Sequence, residues 1–218
     1  MKLILLGYGR MGKEIEQLAL KRGHEIIERV TSQNRESIDQ SLLKEADAAV
    51  DFSIPEAARK NILDCFKAGI AVVVGTTGWD QHMQEIQTEC QSRNGALFYA
   101  PNFNIGVNIL FQLNKVLANL MNEQQEYDLE VEESHHPYKK DAPSGTANAL
   151  TIDILSHGRE EGVIGEHKVL YHSNIDEVEI RHKAYSREGF AEGAVKAAEW
   201  LQGSKGIFTM EDFLGFKQ

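Results

Sequence analysis

Through the first hundred residues, short apolar runs alternate with longer segments that have a helical repeat. Lys2–Leu6, Glu25–Val30, Ala48–Asp51, Ala71–Val74 and Ala96–Tyr99 read as strands, being brief and largely aliphatic. Arg10–Arg22 sets Met11, Ile15, Leu18 and Ala19 on one side of a helix, and Gly23 ends it. Pro55–Ala68 and Asp80–Ser92 read as two more helices. Pro55 suits a first helical turn because its missing N–H would have no intrahelical partner there. Apolar strands separated by helices predict a parallel sheet covered on both faces.

The rhythm changes near Asn104. A longer helix over Val107–Met121 leads into a strand at Tyr127–Val131, and Gly145–Leu155 reads as a helix. Lys168–His172 and Val178–Lys183 alternate like antiparallel strands, Phe190–Leu201 is amphipathic, and Gly206–Leu214 returns at the end. The predicted class is α/β. Residues 1–104 and 187–218 form a domain with a parallel sheet, and 105–186 form an inserted α+β domain.

The length of 218 residues suits one large domain or two small ones. A formal charge of −10 argues against nucleic acid or an anionic membrane as the main partner. No apolar run approaches the ~18 residues of a membrane span, and no charged leader precedes the first strand, so the cytoplasm is the expected compartment. Cys65 and Cys90 fall within helical segments at unrelated spacing and read as buried structural thiols, with no metal implied.

Gly7-Tyr8-Gly9-Arg10-Met11-Gly12 follows the first strand and opens the first helix. In this context a G-x-G-x-x-G is a dinucleotide fingerprint. The first glycine allows the tight turn, the second lets pyrophosphate approach, and the third permits close helix–strand packing. The N-terminal domain is therefore expected to be of Rossmann type, and Gly9→Asp or a bulkier change at Gly12 is expected to remove cofactor binding while leaving the fold mostly intact. The fingerprint usually has an acid after the second strand for the ribose 2′-hydroxyl. Here Thr31 and Ser32 stand in that place, with Arg35 nearby, so NADPH is expected to serve at least as well as NADH. Gly75-Thr76-Thr77-Gly78 and Ala100-Pro101-Asn102-Phe103 follow later strands, at the sheet edge where a cofactor would lie.

The run His135-His136-Pro137-Tyr138-Lys139-Lys140-Asp141-Ala142-Pro143-Ser144-Gly145-Thr146-Ala147 places imidazoles and ammonium groups beside a helix start. Free N–H groups at a helix start favour an anion, Lys139 adds positive charge, and His135 or His136 can give a proton near neutral pH. Together they suggest proton transfer to a bound carboxylate-bearing molecule. The bland alternative is a solvated loop with a helix cap.

The whole run resembles the HHxxKxDAPSGTA signature of bacterial dihydrodipicolinate reductases, also called 4-hydroxy-tetrahydrodipicolinate reductases. Asp51-Phe52-Ser53, the Gly75–Gly78 loop, Asn102–Asn108, Gly165-Glu166-His167 and His182–Arg187 match that family too, so the resemblance runs almost end to end. It implies reduction of 4-hydroxy-2,3,4,5-tetrahydrodipicolinate with loss of water, using NADPH or NADH, in the diaminopimelate route to lysine. His135 and Lys139 are the implied catalytic residues. His136, Lys139, Ser144, Gly145 and Thr146 would hold the small dicarboxylate substrate, and the assembly would be a homotetramer. The chain departs from the family in lacking the acid after the second strand. It is also shorter before Asp51 and before Gly165, and the second shortening trims the sheet that carries subunit contacts.

Two other readings stay open on the residues alone. One is another Rossmann dehydrogenase acting on a small amino-dicarboxylate, and the other is a non-catalytic NAD(P)H sensor. His24, His82, His157, His167, His172 and His182 share no constellation and read mostly as exposed or capping residues, while Trp79 and Trp200 read as packing residues. No HExxH or CxxC pattern suggests zinc.

Overall fold

A computed structural model describes residues 1–35, 39–135, 156–159 and 165–216, with backbone only for 133–135 and 156–159. It divides into two compact units. The first comprises Met1–Phe103 and Phe190–Gln218, and the second Asn104–Gly189.

The first unit is built on strands β1 (Lys2–Leu6), β2 (Glu25–Val30), β3 (Ala48–Asp51), β4 (Ala71–Val74), β5 (Ala96–Tyr99) and β10 (Gly206–Phe208). They form one sheet in the order β10-β5-β4-β3-β1-β2, parallel throughout. The helices are α1 (Arg10–Lys21), α2 (Gln40–Lys44), α3 (Pro55–Ala68), α4 (Met83–Arg93), α6 (Glu188–Trp200), whose first two residues belong to the second unit, and the short α7 (Met210–Phe213). A parallel sheet needs apolar residues on both faces. Leu3, Ile4, Leu5 and Leu6 are each at most 1% exposed, and each such side chain contributes about 1.5–3 kcal/mol by leaving water. The short α2 was not foreseen: its five residues complete only one turn, too few for a helical repeat to show.

Helix α6 buries a face of small residues, Ala191, Ala194, Ala197 and Ala198. A Cβ on Gly193 would fall 1.8 Å from the Phe103 carbonyl oxygen, so α6 and the loop after β5 meet backbone to backbone. Phe98 packs against Phe103, Trp200 and Phe213 at ring separations of 5.7, 6.0 and 6.2 Å. Trp79 is fully buried, with its indole N–H on the Thr76 carbonyl at 2.8 Å. Both tryptophans are packing residues, as expected. Cys65 and Cys90 are buried free thiols, and burial pushes the Cys65 thiol up.

The second unit has α5 (Ile105–Met121) and strands β6 (Asp128–His135), β7 (Ser156–Arg159), β8 (Gly165–His172) and β9 (Glu177–Ala184), in the order β7-β6-β8-β9. β6, β8 and β9 are antiparallel neighbours, and β7 joins β6 in parallel. Asn104 caps α5 by accepting from the Val107 N–H at 3.2 Å. Leu110 of α5 packs with Val131, Val169 and Tyr171 of the sheet. The alternate positions carry charge: Lys168 pairs with Glu132 at 3.2 Å and Lys183 with Glu166 at 3.0 Å. β7 escaped the sequence reading because Ser-His-Gly-Arg has no apolar residue to mark a strand. β8 begins at Gly165, three residues before the expected start at Lys168. The helix expected over Gly145–Leu155 lies outside the described residues. Among the described residues, no helix is long and apolar enough to cross a membrane.

Candidate functional site

The carboxyl ends of β1, β2 and β3 open onto a cavity of about 360 Å³. Gly7, Tyr8 and Gly9 line it from the turn before α1, and Val30, Thr31, Ser32 and Arg35 from the end of β2. Phe52, Ser53, Ile54, Ala57 and Asn61 line it from the end of β3 and from α3.

The three fingerprint glycines do different work. Gly7 has φ +97°, and a Cβ there would lie 2.3 Å from the Phe52 carbonyl oxygen. A Cβ on Gly12 would come 2.4 Å from the Gly7 carbonyl oxygen. Both are therefore demanded by packing, as expected of the third glycine, which corrects the expectation that a bulkier change at Gly12 would leave the fold mostly intact. Gly9 meets nothing within 4 Å. It caps α1 with no side chain over the first turn, and that turn carries no acidic residue. Unbonded N–H groups at such a turn favour a phosphate, so the open backbone at Gly9 fits a dinucleotide.

Tyr8 is held at the cavity rim. Its hydroxyl donates to Glu16, Glu16 also pairs with Arg29, and the Arg29 guanidinium stands 5.9 Å from the Tyr8 ring centre. The Glu16 hydrogen bond raises the Tyr8 hydroxyl above its ordinary pKa, and Arg29 holds Glu16 below the usual carboxylate range.

A buried carboxylate shapes the adjoining wall. Asp51, fully shielded at the end of β3, accepts from the Ser53 N–H (2.9 Å) and hydroxyl (2.7 Å), the Thr76 hydroxyl (2.8 Å) and the Asn61 amide (2.7 Å). Four donors leave the ion well satisfied, as a buried charge requires. Thr76 is thus committed to Asp51 and does not line the cavity. Asn61 Oδ1 accepts no hydrogen bond from any described residue. An orphan of this kind costs about 1–3 kcal/mol. Sequence reading missed this network because its members are joined only by the fold.

At the β2 end, the Thr31 hydroxyl donates to Asn34 Oδ1 at 3.1 Å. Arg35 lines the cavity while pairing with Asp64 at 2.8 Å, so it is no ordinary exposed residue. Arg10 and Met11 start α1. Gly75, Thr76 and Thr77 follow β4, and Ala100, Pro101, Asn102 and Phe103 follow β5, at the same edge of the sheet but outside the lining of this cavity. Phe103 is 2% exposed and sits 5.6 Å from the Phe52 ring.

In the second unit, His135 ends β6, its Cα paired with that of Arg159. His136, Lys139, Ser144, Gly145 and Thr146 lie outside the described residues. Across the sheet, Glu133, His167 and His182 stand in one row on β6, β8 and β9. His167 is 3% exposed and its ring centre lies 6.5 Å from that of His182, against the expectation of exposed histidines. Both occupy the face turned to α5: a Cβ on Gly106 would come 2.9 Å from the His182 ring. Burial, and then the neighbouring His167, hold His182 below the ordinary histidine pKa. Among the described residues, no cluster of His, Cys, Asp or Glu could hold a metal ion.

A parallel sheet with an open glycine turn at its carboxyl edge, joined to an α+β unit, defines an oxidoreductase of the nicotinamide dinucleotide-binding class. Residues 1–103 match the profile of dihydrodipicolinate reductase, N-terminus, and 106–214 that of the C-terminus. The chain belongs to the dihydrodipicolinate reductase family. It is 44% identical to the 4-hydroxy-tetrahydrodipicolinate reductase of Christiangramia forsetii over 98% of both chains. It is 32% identical to that of Methanoregula boonei, over 96% of this chain and 93% of the relative. The dipicolinate-bound dihydrodipicolinate reductase of Paenisporosarcina sp. TG-14 has the same fold, with a TM-score of 0.79, 19% identity, and coverage of 96% and 97%.

Proposed function

We infer that this protein reduces 4-hydroxy-2,3,4,5-tetrahydrodipicolinate to 2,3,4,5-tetrahydrodipicolinate with loss of water, using NADPH or NADH, in the diaminopimelate route of lysine biosynthesis. The observation that carries the reading is the 44% identity to a reductase of that name over 98% of each chain. The open backbone at Gly9 supplies physical support.

The first unit takes the cofactor at Gly7, Tyr8, Gly9, Arg10, Met11 and Gly12, with the Gly75–Thr77 and Ala100–Phe103 loops completing the site. When bound, the reduced nicotinamide supplies the hydride. The chain's own residues hold the substrate and move the proton. Lys139, His136, Ser144 and the N–H groups of Gly145 and Thr146 bind carboxylate oxygens. His135 donates the proton that completes the reduction, and Lys139 assists. General acid catalysis of this kind contributes about 10²–10⁴-fold. The enzyme works in the cytoplasm as a homotetramer assembled through the second unit.

Titration with pyridine-2,6-dicarboxylate tests the reading. With NADPH present, this flat dicarboxylate is expected to bind and to inhibit competitively against the substrate. A protein that binds NADPH and ignores the dicarboxylate would not be this reductase.

A further inference from the structure

Lys60, Asp64 and Lys67 recur along α3 at steps of four and three, the spacing that puts side chains on one face of a helix. Asp64 serves three cations. Its Oδ2 takes Lys60 Nζ at 2.6 Å and Arg35, from beyond the end of β2, at 2.8 Å, while Lys67 Nζ stands 4.0 Å from Oδ1. Arg35 thus shares one oxygen with a lysine and is held through a single nitrogen. That falls short of the two-pronged grip that makes an arginine–carboxylate pair strong. Within this cluster three positive groups face one negative group, an excess of two charges. The two lysines are mostly exposed, whereas the Arg35 and Asp64 side chains are 19% and 15% exposed, so salt screens the arginine pair least.

Arg35 lines the dinucleotide cavity and Asp64 does not. The acid usually found after the second strand touches the ribose directly. Here a carboxylate comes from α3 instead and reaches the cavity only through an arginine. A 2′-phosphate brings about −1.5 to −2 charges near neutral pH, which matches the excess in the cluster. We infer that Asp64 is the positioning residue that sets the choice between NADPH and NADH. It holds Arg35 while the cofactor presents a 2′-hydroxyl, and yields it to a 2′-phosphate, remaining neutralised by Lys60 and Lys67. Phosphate and Asp64 therefore compete for one guanidinium. The inference rests on the dinucleotide reading above and adds to it the residue that tunes the preference.

The test measures NADPH and NADH binding by nicotinamide fluorescence, with no substrate present and at fixed ionic strength. Asp64→Asn keeps the shape of the side chain and removes its charge. It is expected to bind NADPH on the order of tenfold more tightly while NADH changes little. Lys60→Gln leaves Asp64 more dependent on Arg35, and should weaken NADPH binding about threefold with NADH again spared. As an exposed lysine it also tests the idea if the Asp64 variant folds poorly. In an Arg35→Ala background Asp64→Asn should no longer alter the ratio of the two affinities. A ratio that rises equally with and without Arg35 would mean that Asp64 acts only through its general field, and would overturn the inference. So would an unchanged ratio in folded Asp64→Asn, or a ratio that stays the same or rises in Lys60→Gln. If the wild type binds neither dinucleotide, it is the underlying cofactor reading that fails.

Discussion

The two units place polar groups on a sheet by opposite means. In the first, the central strands β1, β3, β4 and β5 of the parallel sheet are dry on both faces and keep their polar groups at strand ends, as with Asp51 and the Gly7–Gly9 turn, and only the edge strand β2 carries charge along its length, at Glu28 and Arg29. In the second, one face packs on α5 while the other carries charge, and ionisable side chains stand within the strands themselves: Glu132, Lys168, Glu166, His167 and His182. A site made of backbone is sensitive to volume. A site made of side chains is sensitive to charge and pH. The division follows from the hydrogen-bonding pattern, since a sheet covered on both faces leaves no solvated positions between its ends.

The largest expected effects set one kind of site against the other. His135→Gln should lower kcat by about 10²–10⁴-fold with a smaller change in KM, because an acid acts in the transition state. Lys139→Ala should damage both, and Thr146→Val should mainly raise KM. Steady-state kinetics of the three variants check this, and normal turnover by His135→Gln would pass the acid role to Lys139 or water.

Next come the glycines, where volume rules. Gly12→Val should cost about 3 kcal/mol of stability or more in urea denaturation, because the added carbons meet the Gly7 carbonyl. Gly9→Asp should leave the denaturation midpoint nearly unchanged while weakening NADPH binding about 100-fold, equivalent to roughly 2.7 kcal/mol. Equal stability loss in both variants would remove the contrast drawn between packed and open glycines.

A smaller effect concerns Arg35. NADPH is expected to be used at least as well as NADH in kcat/KM, and Arg35→Ala should reduce the NADPH value about tenfold while sparing NADH. A wild-type preference for NADH beyond about tenfold would mean that the Thr31–Arg35 segment does not accommodate a 2′-phosphate.

The smallest effect is a pH slope confined to the second unit. His182 has a folded pKa below its unfolded value of about 6.5, so the unfolded chain binds the proton more readily. Its contribution to stability is complete above that value and falls away as the pH drops through the folded pKa. Chemical denaturation at pH 7.5 and 5.5 should show a shallower loss in His182→Asn than in the wild type. An identical loss would show that the half-buried imidazole carries no linkage.

The first unit was largely legible in the sequence because its dry central strands leave unbroken apolar blocks. β1, β3, β4 and β5 lie where those blocks fall, and β2 is marked by Ile26, Ile27 and Val30. The second was harder because strands with a solvated face dilute the signal. β7 has no apolar residue, and β8 opens with Gly165 and Glu166. His167 and His182 read as surface residues because burial there depends on register against β6 and on Gly106 beneath, both long-range facts. The same applies to the cavity. Its glycines form a local motif, whereas the Asp51–Asn61–Thr76 network joins residues from β3, α3 and the loop after β4.

The pairing of β10 with β5 carries a consequence for synthesis on the ribosome. Ala96 and Gly206 are sheet partners, yet more than a hundred positions separate them. At roughly 5–20 residues per second, β5 waits about 5–20 s after its own emergence before the strand that covers its edge exists. Throughout that interval its unpaired amides and the aromatic surface around Phe98 are available to neighbouring nascent chains. The cofactor-binding unit, first to begin, is thus the last to be finished, and a nascent chain stalled anywhere before residue 206 would expose a bare strand edge.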